Sequence, residues 1–406
     1  MQRLYTQLIL YHLKNWQQMV FIEGPRQAGK TTIAQEVIKN FDVSLYLNWD
    51  NVEDRLLMLQ GQHFVKNTKL FTEASSKTPI IVFDEIHKMP DWKNYLKGFF
   101  DLYKNKLKII ATGSSKLAIY KKGQDSLMGR YFNYSIHPLS VGELLRQDYK
   151  VGMDIALSEI VNENLFQSLF NFSGFPEPFV KSNNNFYKRW SGLRQQQLFR
   201  EDINVVEDIK NIQLLETLAY LLQEEATSQL NYSRLSKKIQ VSDQTIRKWI
   251  NMLEDFYFGF TIRPWHNNVT RSITKEPKFY LTDWSCIYDF GKKAENFVAC
   301  HLKKAIHFWN ESGLGEYGLH YLRDKEKREV DFVVTKNQKV WFLVEVKSSN
   351  NVSLNNLNKN LSYFQSITGA NHAFQVVLDM PDKRINCFDF TEPVKVPLKT
   401  FLSQIP

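Results

Sequence analysis

The sequence predicts an α/β fold, with a parallel sheet in the first 140 residues, a helical region after it, and a second α/β domain at the end of the chain. Three patterns support this prediction. An apolar run precedes a glycine-rich loop near residue 24, another ends in two carboxylates near residue 84, and strand-like runs after residue 328 lie between helical stretches. Buried parallel strands that alternate with helices are typical of this class.

The length, charge and cysteine content of the chain limit the classes of protein to which it can belong. Its 406 residues exceed what one hydrophobic core usually holds, so we expect two or three domains. The net charge of +9 favours an anionic partner such as DNA, although a solvated lysine-rich surface also explains it. Cys286, Cys300 and Cys387 form no disulfide or zinc pattern, and no apolar run is long enough to span a membrane. We therefore expect a cytoplasmic protein without a membrane partner; a homo-oligomer or a partner protein stays open.

The glycine-rich loop has the pattern that binds nucleotide phosphates. Residues 19–22 predict a strand before it and residues 31–39 a helix after it. Glycines let backbone N–H groups approach a phosphate, Lys30 reaches the β- and γ-phosphates, and the Thr31 hydroxyl binds Mg²⁺. The alternative is a glycine turn beside a surface lysine. The predicted ATP-binding residues of the loop are Gly24, Pro25, Arg26, Gln27, Ala28, Gly29, Lys30, Thr31 and Thr32.

The acidic pair at the end of the second apolar run completes this pattern. Residues 79–85 predict a buried strand that ends in Asp84 and Glu85. We expect Asp84 to bind ATP-associated Mg²⁺ and Glu85 to act as the general base for the attacking water. A strand before an acidic helix N-terminus would contain the same residues, but here the strand follows a complete phosphate loop. The two motifs together predict ATP hydrolysis with ATP and Mg²⁺ as cofactors.

Three further polar residues are candidates for the same site. Residues 107–112 predict a strand, and Thr112 or Ser114 at its tip would contact the γ-phosphate or the attacking water. The Gly-Ser-Ser turn at this tip is also typical of an ordinary helix N-cap. Arg130 would approach the γ-phosphate in its own subunit or in a neighbour, because a guanidinium matches a phosphate. The alternative is a surface or ion-paired arginine.

These residues resemble a family of prokaryotic AAA-like ATPases, which join a P-loop domain to a winged-helix segment and a C-terminal restriction-endonuclease-like domain. The resemblance rests on the loop and on the residues at 83–87, 112–115, 127–130, 138–140, 174–177 and 193–202. It implies an ATPase role for a P-loop NTPase (AAA-like) domain. The expected domains are residues 1–140 for this ATPase, 141–210 for a helical subdomain, 211–285 for a winged helix-turn-helix, and 286–406 for the restriction-endonuclease-like domain.

The helical region has two parts. In residues 141–210, Arg194, Arg200 or Asp202 would couple the nucleotide state to other domains, or would simply lie on a helix surface. Residues 214–223, 232–239 and 242–253 predict three helices, and residues 256–262 and 279–281 predict the two strands of a wing. On DNA, the third helix would present its first two turns to the major groove, whereas winged helices also serve as protein-binding modules. The residues of these turns are Ser242, Gln244, Thr245 and Lys248.

The last domain carries a nuclease-like motif. Residues 328–334 and 340–347 predict neighbouring strands, and alternation along the second strand places Glu345 and Lys347 on one face. Asp331 on the first strand would join them, and Glu295 on the preceding helix would add a carboxylate. Such carboxylates bind Mg²⁺, and the lysine assists the water that attacks a phosphodiester. A surface hairpin with an ion pair is the alternative.

The sequence thus predicts a Mg²⁺-dependent ATPase that couples its nucleotide state to DNA engagement. Two alternatives remain. The first is a metal-dependent DNA nuclease that is licensed by ATP. The second is a nucleotide-gated regulator that binds DNA or a protein without cleavage.

Overall fold

The computed structural model describes residues 3–72, 78–113, 127–146, 152–203, 211–266, 276–349 and 359–406. Of these, the residues up to His137 form one compact unit and the residues from Pro138 onward form another. The segments predicted as 141–210, 211–285 and 286–406 fall within the second unit. Their division into separate domains stays a prediction.

The first unit is built on a five-stranded parallel sheet. Its strands are β1 (Met19–Glu23), β2 (Ser44–Asn48), β3 (Ile80–Asp84), β4 (Lys108–Gly113) and β5 (Tyr131–Ser135). They lie in the order β2-β3-β4-β1-β5, and every neighbouring pair is parallel. The predicted parallel sheet is confirmed, and β4 separates the strand before the loop from the acidic strand. The sequence did not predict β5, because polar residues interrupt its apolar pattern.

The helices of the first unit bury apolar faces. They are α1 (Leu4–Asn15), α2 (Lys30–Ile38), α3 (Val52–Leu59), α4 (Lys69–Thr72) and α5 (Trp92–Tyr103), with 3₁₀ turns at Gln62–Asn67 and Ile86–Lys88. Along α5, buried residues recur every three or four positions, which is the period of a helix with one apolar face. Phe99 of α5 meets Phe83 of β3 with ring centroids 5.0 Å apart. This contact fixes the strand end that carries Asp84.

The second unit begins with short helices. They are α6 (Val141–Leu145), α7 (Glu163–Phe172), α8 (Pro176–Lys181) and α9 (Asn184–Gln197), followed by a π-helical turn at Leu198–Ile203. Each of α6, α7 and α9 has a side-chain oxygen at its N-cap, from Ser140, Asn162 and Asn183. None of the helices among the described residues has the length and apolar character needed to cross a membrane.

Three more helices and two strands follow where the sequence predicted them. The helices are α10 (Ile212–Glu224), α11 (Tyr232–Ile239) and α12 (Asp243–Asp255), and the antiparallel strands are β6 (Gly259–Pro264) and β7 (Lys278–Leu281). Ser242 caps α12, because its hydroxyl accepts a hydrogen bond from the Thr245 N–H at 3.1 Å. The strand β6 begins at Gly259 rather than at residue 256, because Tyr257 has a φ of 59° and turns the chain.

A seven-stranded mixed sheet ends the chain. It adds β8 (Tyr317–Arg323), β9 (Glu329–Lys336), β10 (Lys339–Lys347), β11 (His372–Val377) and β12 (Val394–Pro397) to the β6–β7 pair, in the order β12-β11-β10-β9-β8-β6-β7. Its helices are α13 (Phe290–Glu311), α14 (Lys359–Thr368) and α15 (Leu398–Ser403), and short 3₁₀ turns lie at Trp284–Cys286 and Cys387–Asp389. Neighbouring strands β8, β9 and β10 are antiparallel, whereas β10, β11 and β12 are parallel. The β6–β7 pair, predicted as a separate wing, therefore shares a sheet with the C-terminal strands.

Candidate functional site

The loop between β1 and α2 requires its glycines. Gly24 has a φ of 148°, and a Cβ atom there would lie 2.4 Å from the carbonyl oxygen of Ile136. Gly29, at the start of α2, has a left-handed φ of 95°. A side chain at Gly24 would displace the neighbouring backbone, and one at Gly29 would strain the turn into the helix. The packing of the loop against Ile136 therefore requires Gly24, and the turn into α2 favours Gly29.

Lys30 places a positive charge inside this loop. Its side chain is 5% exposed, and its ammonium group donates to the carbonyl oxygens of Gly24, at 3.0 Å, and Pro25, at 2.9 Å. Both partners are neutral carbonyls, so the charge is not cancelled by a carboxylate in these bonds. Of the other predicted loop residues, Ala28 is buried, Arg26 is half-buried, and Gln27 and Thr32 are exposed.

The predicted magnesium ligands, Thr31 and Asp84, lie together at the foot of the loop. The Thr31 hydroxyl donates to the Asp84 carboxylate at 2.9 Å. The hydroxyls of Tyr46 and Thr112 also donate to this carboxylate, which is 1% exposed. Three neutral donors thus hold Asp84, and oxygen ligands of this kind suit Mg²⁺. The residues present therefore fit a magnesium ion associated with a nucleotide.

Tyr46 is the member of this group that the sequence did not indicate. It lies on β2, whose register pairs it with Val82 of β3, close to the end of the acidic strand. Burial raises the pKa of Tyr46 well above its ordinary value, and the hydrogen bond to Asp84 adds to the rise. The phenol is therefore neutral and acts as a donor. Its only signal in the sequence was its place on the strand next to the acidic one.

Glu85 follows Asp84 in a left-handed conformation, with a φ of 54°. Its backbone N–H donates to the Thr112 hydroxyl at 3.1 Å, and its carboxylate lies 3.2 Å from the ammonium of Lys88. His87 is 3.7 Å away, but burial lowers its pKa to about 4, so the imidazole is neutral at pH 7. Lys88 is therefore the cationic neighbour of Glu85 in this group. The predicted general base lies one residue beyond the magnesium ligand, at the same edge of the sheet.

Arg130 does not join this site within its own chain. It lies at the start of β5, where its carbonyl accepts from the Met19 N–H at 2.8 Å, and its guanidinium donates to Asp101 through two bonds of 3.0 Å. Because β1 and β5 are parallel, this start lies a strand's length from the loop at the other end of β1. The expectation that Arg130 contacts the γ-phosphate of its own subunit is therefore corrected. A role toward a neighbouring subunit stays a prediction, and Ser114 lies outside the described residues.

In the second unit, the residues of the predicted nuclease motif do come together. The backbone N–H of Val346, between the two motif residues of β10, donates to the Asp331 carboxylate of β9 at 2.8 Å. Lys347 lies 2.6 Å from the carboxylate of Glu345. Burial raises the pKa values of Asp331 and Glu345, and Lys347 partly opposes the rise for both. The strand pairing therefore assembles these side chains as the alternation along β10 predicted.

A lysine that the sequence did not indicate lies inside this group. Lys278 of β7 is 3.1 Å from Glu295 and 2.5 Å from Glu329. The hydroxyl of Tyr280 also donates to Glu295, at 2.9 Å. Burial raises the pKa of Glu295 to about 7, Asp331 adds to the rise, and Lys278 opposes it. We refer to Glu295, Glu329, Asp331 and Glu345 as the C-terminal acidic cluster.

The C-terminal acidic cluster does not fit a divalent metal ion in this arrangement. Lys278 and Tyr280 contact the carboxylate of Glu295, and Lys347 contacts the carboxylate of Glu345. Across the described ranges, no three histidine, cysteine, aspartate or glutamate side chains are grouped as metal ligands. The predicted ligands Glu295, Asp331 and Glu345 are neighbours, but lysines provide the positive charge between them. The sequence did not indicate Lys278, because this residue is distant from the motif in the chain and is the first residue of an ordinary apolar strand.

The remaining predicted residues lie on helices of the second unit. Gln244 and Lys248 are exposed on α12, Ser242 caps that helix, and Thr245 is half-buried. Arg194 of α9 stacks on the ring of Phe175 at 4.0 Å, which is a packing role. Arg200 is exposed and Asp202 half-buried in the π-helical turn. Their role in coupling stays a prediction.

The loop, the strand order and the Thr31–Asp84 pair are features of a P-loop nucleotide-binding domain. Comparisons with known proteins agree, since residues 17–145 match the family model of an AAA domain. Residues 163–290 and 290–397 match models of two domains of unknown function, DUF8612 and DUF4143. The first unit thus has the fold and the loop of nucleotide-binding ATPases.

The relatives in sequence are distant. An uncharacterized protein of Haemophilus influenzae is 20% identical over 68% of this chain and 70% of its own length. Uncharacterized proteins of Mycobacterium bovis and Mycobacterium tuberculosis are each 20% identical over 66% of this chain. The match spans 55% of the length of these two mycobacterial proteins.

Solved structures give weak overall similarity. A RuvB variant from Thermotoga maritima is 16% identical, with a TM-score of 0.31 over 63% of this chain and 87% of that one. AMPPCP-bound DnaA from Aquifex aeolicus is 13% identical, with a TM-score of 0.32 over 62% of this chain and 87% of that one. These scores are too low to define a shared overall fold. The assignment of the first unit rests on the family model and on its own sheet and loop.

Proposed function

We propose that the first unit binds ATP together with Mg²⁺ and hydrolyses the γ-phosphate bond. The observation that supports this most strongly is the 2.9 Å contact between the Thr31 hydroxyl and the Asp84 carboxylate, next in sequence to the buried Lys30. A hydroxyl from the loop motif and a carboxylate from the acidic strand are the two protein ligands that such domains offer to the metal. A surface loop with a chance glycine pattern would not bring these groups together.

Binding would use groups that are already in place. The ammonium of Lys30 would exchange its bonds to the Gly24 and Pro25 carbonyls for bonds to phosphate oxygens, which are stronger because the acceptor is charged. The N-terminus of α2 points its backbone N–H groups at the same place. Thr31 and Asp84 would hold the magnesium ion, which neutralises charge on the phosphates.

Hydrolysis would depend on Glu85. Its carboxylate lies at the edge of the sheet beside Asp84, where it would orient a water molecule for in-line attack and accept its proton. Lys88 is 3.2 Å from this carboxylate and also 2.6 Å from Asp50. Lys88 can therefore keep Asp50 as a partner while Glu85 turns toward water. Lys30 would stabilise the negative charge that develops on the phosphoryl oxygens.

Two substitutions test this proposal. Lys30→Ala is expected to weaken ATP binding by at least about 100-fold, because the loop loses its buried cation. Glu85→Gln should still bind ATP but lower turnover by about 10²- to 10⁴-fold, because the amide cannot accept the proton. Binding is measured with a fluorescent ATP analogue and turnover by phosphate release. Lys39→Ala and Glu53→Gln, which change exposed side chains of the same unit, are the matched controls. Normal turnover in both test variants would overturn the proposal.

We also propose that α12, with α11, binds DNA. Gln244, Arg247 and Lys248 are exposed on α12, opposite its buried face, and the neighbouring α11 adds exposed Lys237 and Lys238. This places basic and amide side chains on the outer face of the second of two helices joined by a short turn, the geometry that reads a major groove. The excess of positive charge in the chain supports the same partner.

The salt dependence of binding tests this second proposal. Lys248→Ala is expected to weaken binding to duplex DNA and to reduce the slope of log affinity against log salt by about 1, because one phosphate contact is lost. Lys339→Ala, an exposed lysine at the start of β10, is the matched control and should keep the slope. Equal affinity and slope in the Lys248 variant and the wild type would remove α12 from the interface.

A further inference from the structure

The strongest unexplained feature of the second unit is the ammonium group of Lys278. Its side chain is 6% exposed, and it lies 3.1 Å from Glu295 on α13 and 2.5 Å from Glu329 on β9. Lys278 belongs to β7, at the edge of the sheet, so the lysine and the two carboxylates come from three different elements. Such convergence from separate elements is how proteins build an ion-binding site.

Other basic side chains also contact the carboxylates of the C-terminal acidic cluster. Besides Lys278, Lys347 contacts Glu345 at 2.6 Å, and Arg323 contacts Glu329 at 3.4 Å. Asp331 accepts the backbone N–H of Val346. A buried carboxylate needs a partner of opposite charge or a metal ion. Here each carboxylate has a protein donor, and Lys278 contacts two of the four carboxylates.

We propose that Lys278 is a built-in cation that takes the place of a divalent metal ion in the C-terminal acidic cluster. A metal ion bound to the Glu295 carboxylate would meet the ammonium of Lys278, which lies 3.1 Å from that carboxylate, and the two positive charges would repel each other. The cluster therefore holds the sheet and α13 together through ion pairs, and it does not support metal-dependent cleavage of DNA. Without Lys278, the same carboxylates form an oxygen-rich site of the kind that Mg²⁺ and Mn²⁺ prefer.

The experiment counts Mn²⁺ ions bound to the full chain without nucleotide, by electron paramagnetic resonance of the free ion. Two double variants form a matched pair, because each replaces the lysine and neutralises one carboxylate, so both keep the same net charge. Lys278→Met with Glu329→Gln retains Glu295, Asp331 and Glu345, and is expected to gain one Mn²⁺ site at least tenfold tighter than any site of the wild type. Lys278→Met with Asp331→Asn loses the central carboxylate and should gain none.

Because both variants have the same net charge, a difference in Mn²⁺ binding between them reports on the metal site rather than on folding. Their melting temperatures are measured with and without Mn²⁺, and only the variant that retains Asp331 should be stabilised by the ion. A gain in neither variant, or an equal gain in both, would overturn the proposal. So would a Mn²⁺ site in the wild type that disappears in Asp331→Asn.

DNA cleavage gives a second, independent measure. Plasmid DNA incubated with the wild-type chain and Mg²⁺ or Mn²⁺, with and without ATP, should remain intact. Cleavage by the wild type that is lost in both Asp331→Ala and Lys347→Ala would overturn the proposal and establish the nuclease alternative. Neither result depends on ATP hydrolysis, which is measured separately on the same preparations.

Discussion

The phosphate-loop site and the C-terminal acidic cluster contain the same chemical groups in opposite arrangements. Each has a lysine and carboxylates near strand ends. In the first unit, Lys30 contacts neutral carbonyls, and hydroxyls hold Asp84. In the second unit, the ammonium of Lys278 contacts the carboxylates themselves. This difference indicates that the partners of the charged groups, more than the identity of the charged groups themselves, determine whether a site can accept an exchangeable ligand.

The largest effect is expected at the carboxylate of the first site. Asp84→Asn should lower ATP turnover by at least about 100-fold, because it removes the negative charge that would bind the metal while the three hydroxyl neighbours remain. The measurement is phosphate release over a range of Mg²⁺ concentrations. Asp101→Asn, which changes an exposed carboxylate on α5 that pairs with Arg130 away from the loop, is the control. If the Asp84 variant retained wild-type turnover, the two sites would not differ in the way described.

A buried ion pair in the second unit gives the next largest effect, on stability. Lys304 and Glu143 lie 2.5 Å apart and are 2% and 0% exposed. Lys304→Met should lower the free energy of unfolding by about 3–5 kcal/mol, because Glu143 keeps a buried charge without its partner. Urea unfolding measures this, with Lys339→Met as a surface control. The double variant with Glu143→Leu should recover most of the loss, and a failure to recover would mean that the buried charge of Glu143 is not the cause of the loss.

The buried histidines predict how stability changes with pH. Burial lowers the pKa of His301 to about 3, from an ordinary 6.5, while its ring accepts the Val141 N–H and donates to the Phe297 carbonyl. Below pH 6.5 the unfolded chain binds a proton that the folded chain excludes, so stability falls as the pH decreases. Proton binding to His301 in the unfolded chain lowers the free energy of unfolding by about 2 kcal/mol at pH 5 relative to pH 7.

The substitution His301→Gln isolates this contribution. Glutamine has both an acceptor and a donor but does not titrate, so the difference in unfolding free energy between pH 7 and pH 5 should shrink by about 2 kcal/mol. Urea unfolding at the two pH values measures it. An unchanged difference would assign the pH dependence to other groups, such as His87, whose pKa burial lowers to about 4.

The smallest effect is expected for Arg130. Because its guanidinium pairs with Asp101 away from the loop, Arg130→Ala should change turnover by less than about twofold in dilute protein. Turnover is measured across a range of protein concentrations. A loss that develops only at high concentration, and is restored when Lys30→Ala subunits supply the missing arginine, would show that Arg130 acts on a neighbouring subunit.

The predicted residues Thr31 and Asp84 do lie together, because the loop motif is local and the acidic strand is easy to recognise. Gly24, Lys30 and Thr31 lie within one loop, and Asp84 ends a strand that is apolar throughout. The alternation of strands and helices was sufficient to bring them to one edge of the sheet. Tyr46 was missed, because an aromatic residue in a strand is far more often part of the core.

The C-terminal acidic cluster shows what a local pattern omits. Asp331, Glu345 and Lys347 were correctly expected to meet, since their strands are adjacent in sequence. Lys278 reaches the cluster from β7, which joins the sheet through β6 and β8, a pairing that no local pattern indicates. The metal site stays a prediction, and the cation on which our proposal against it rests comes from a strand that is distant in the chain.

For the residues that the structure describes, we propose an exchangeable metal site in the first unit, at Thr31 and Asp84, and a permanent cation, Lys278, in the second. Counting Mn²⁺ ions bound per wild-type chain, with and without a saturating non-hydrolysable ATP analogue, tests this directly. We predict one ion per chain with the analogue, lost in Asp84→Asn, and no ion at the C-terminal acidic cluster in either condition. A Mn²⁺ ion that binds without nucleotide and is lost in Asp331→Asn would contradict the claim.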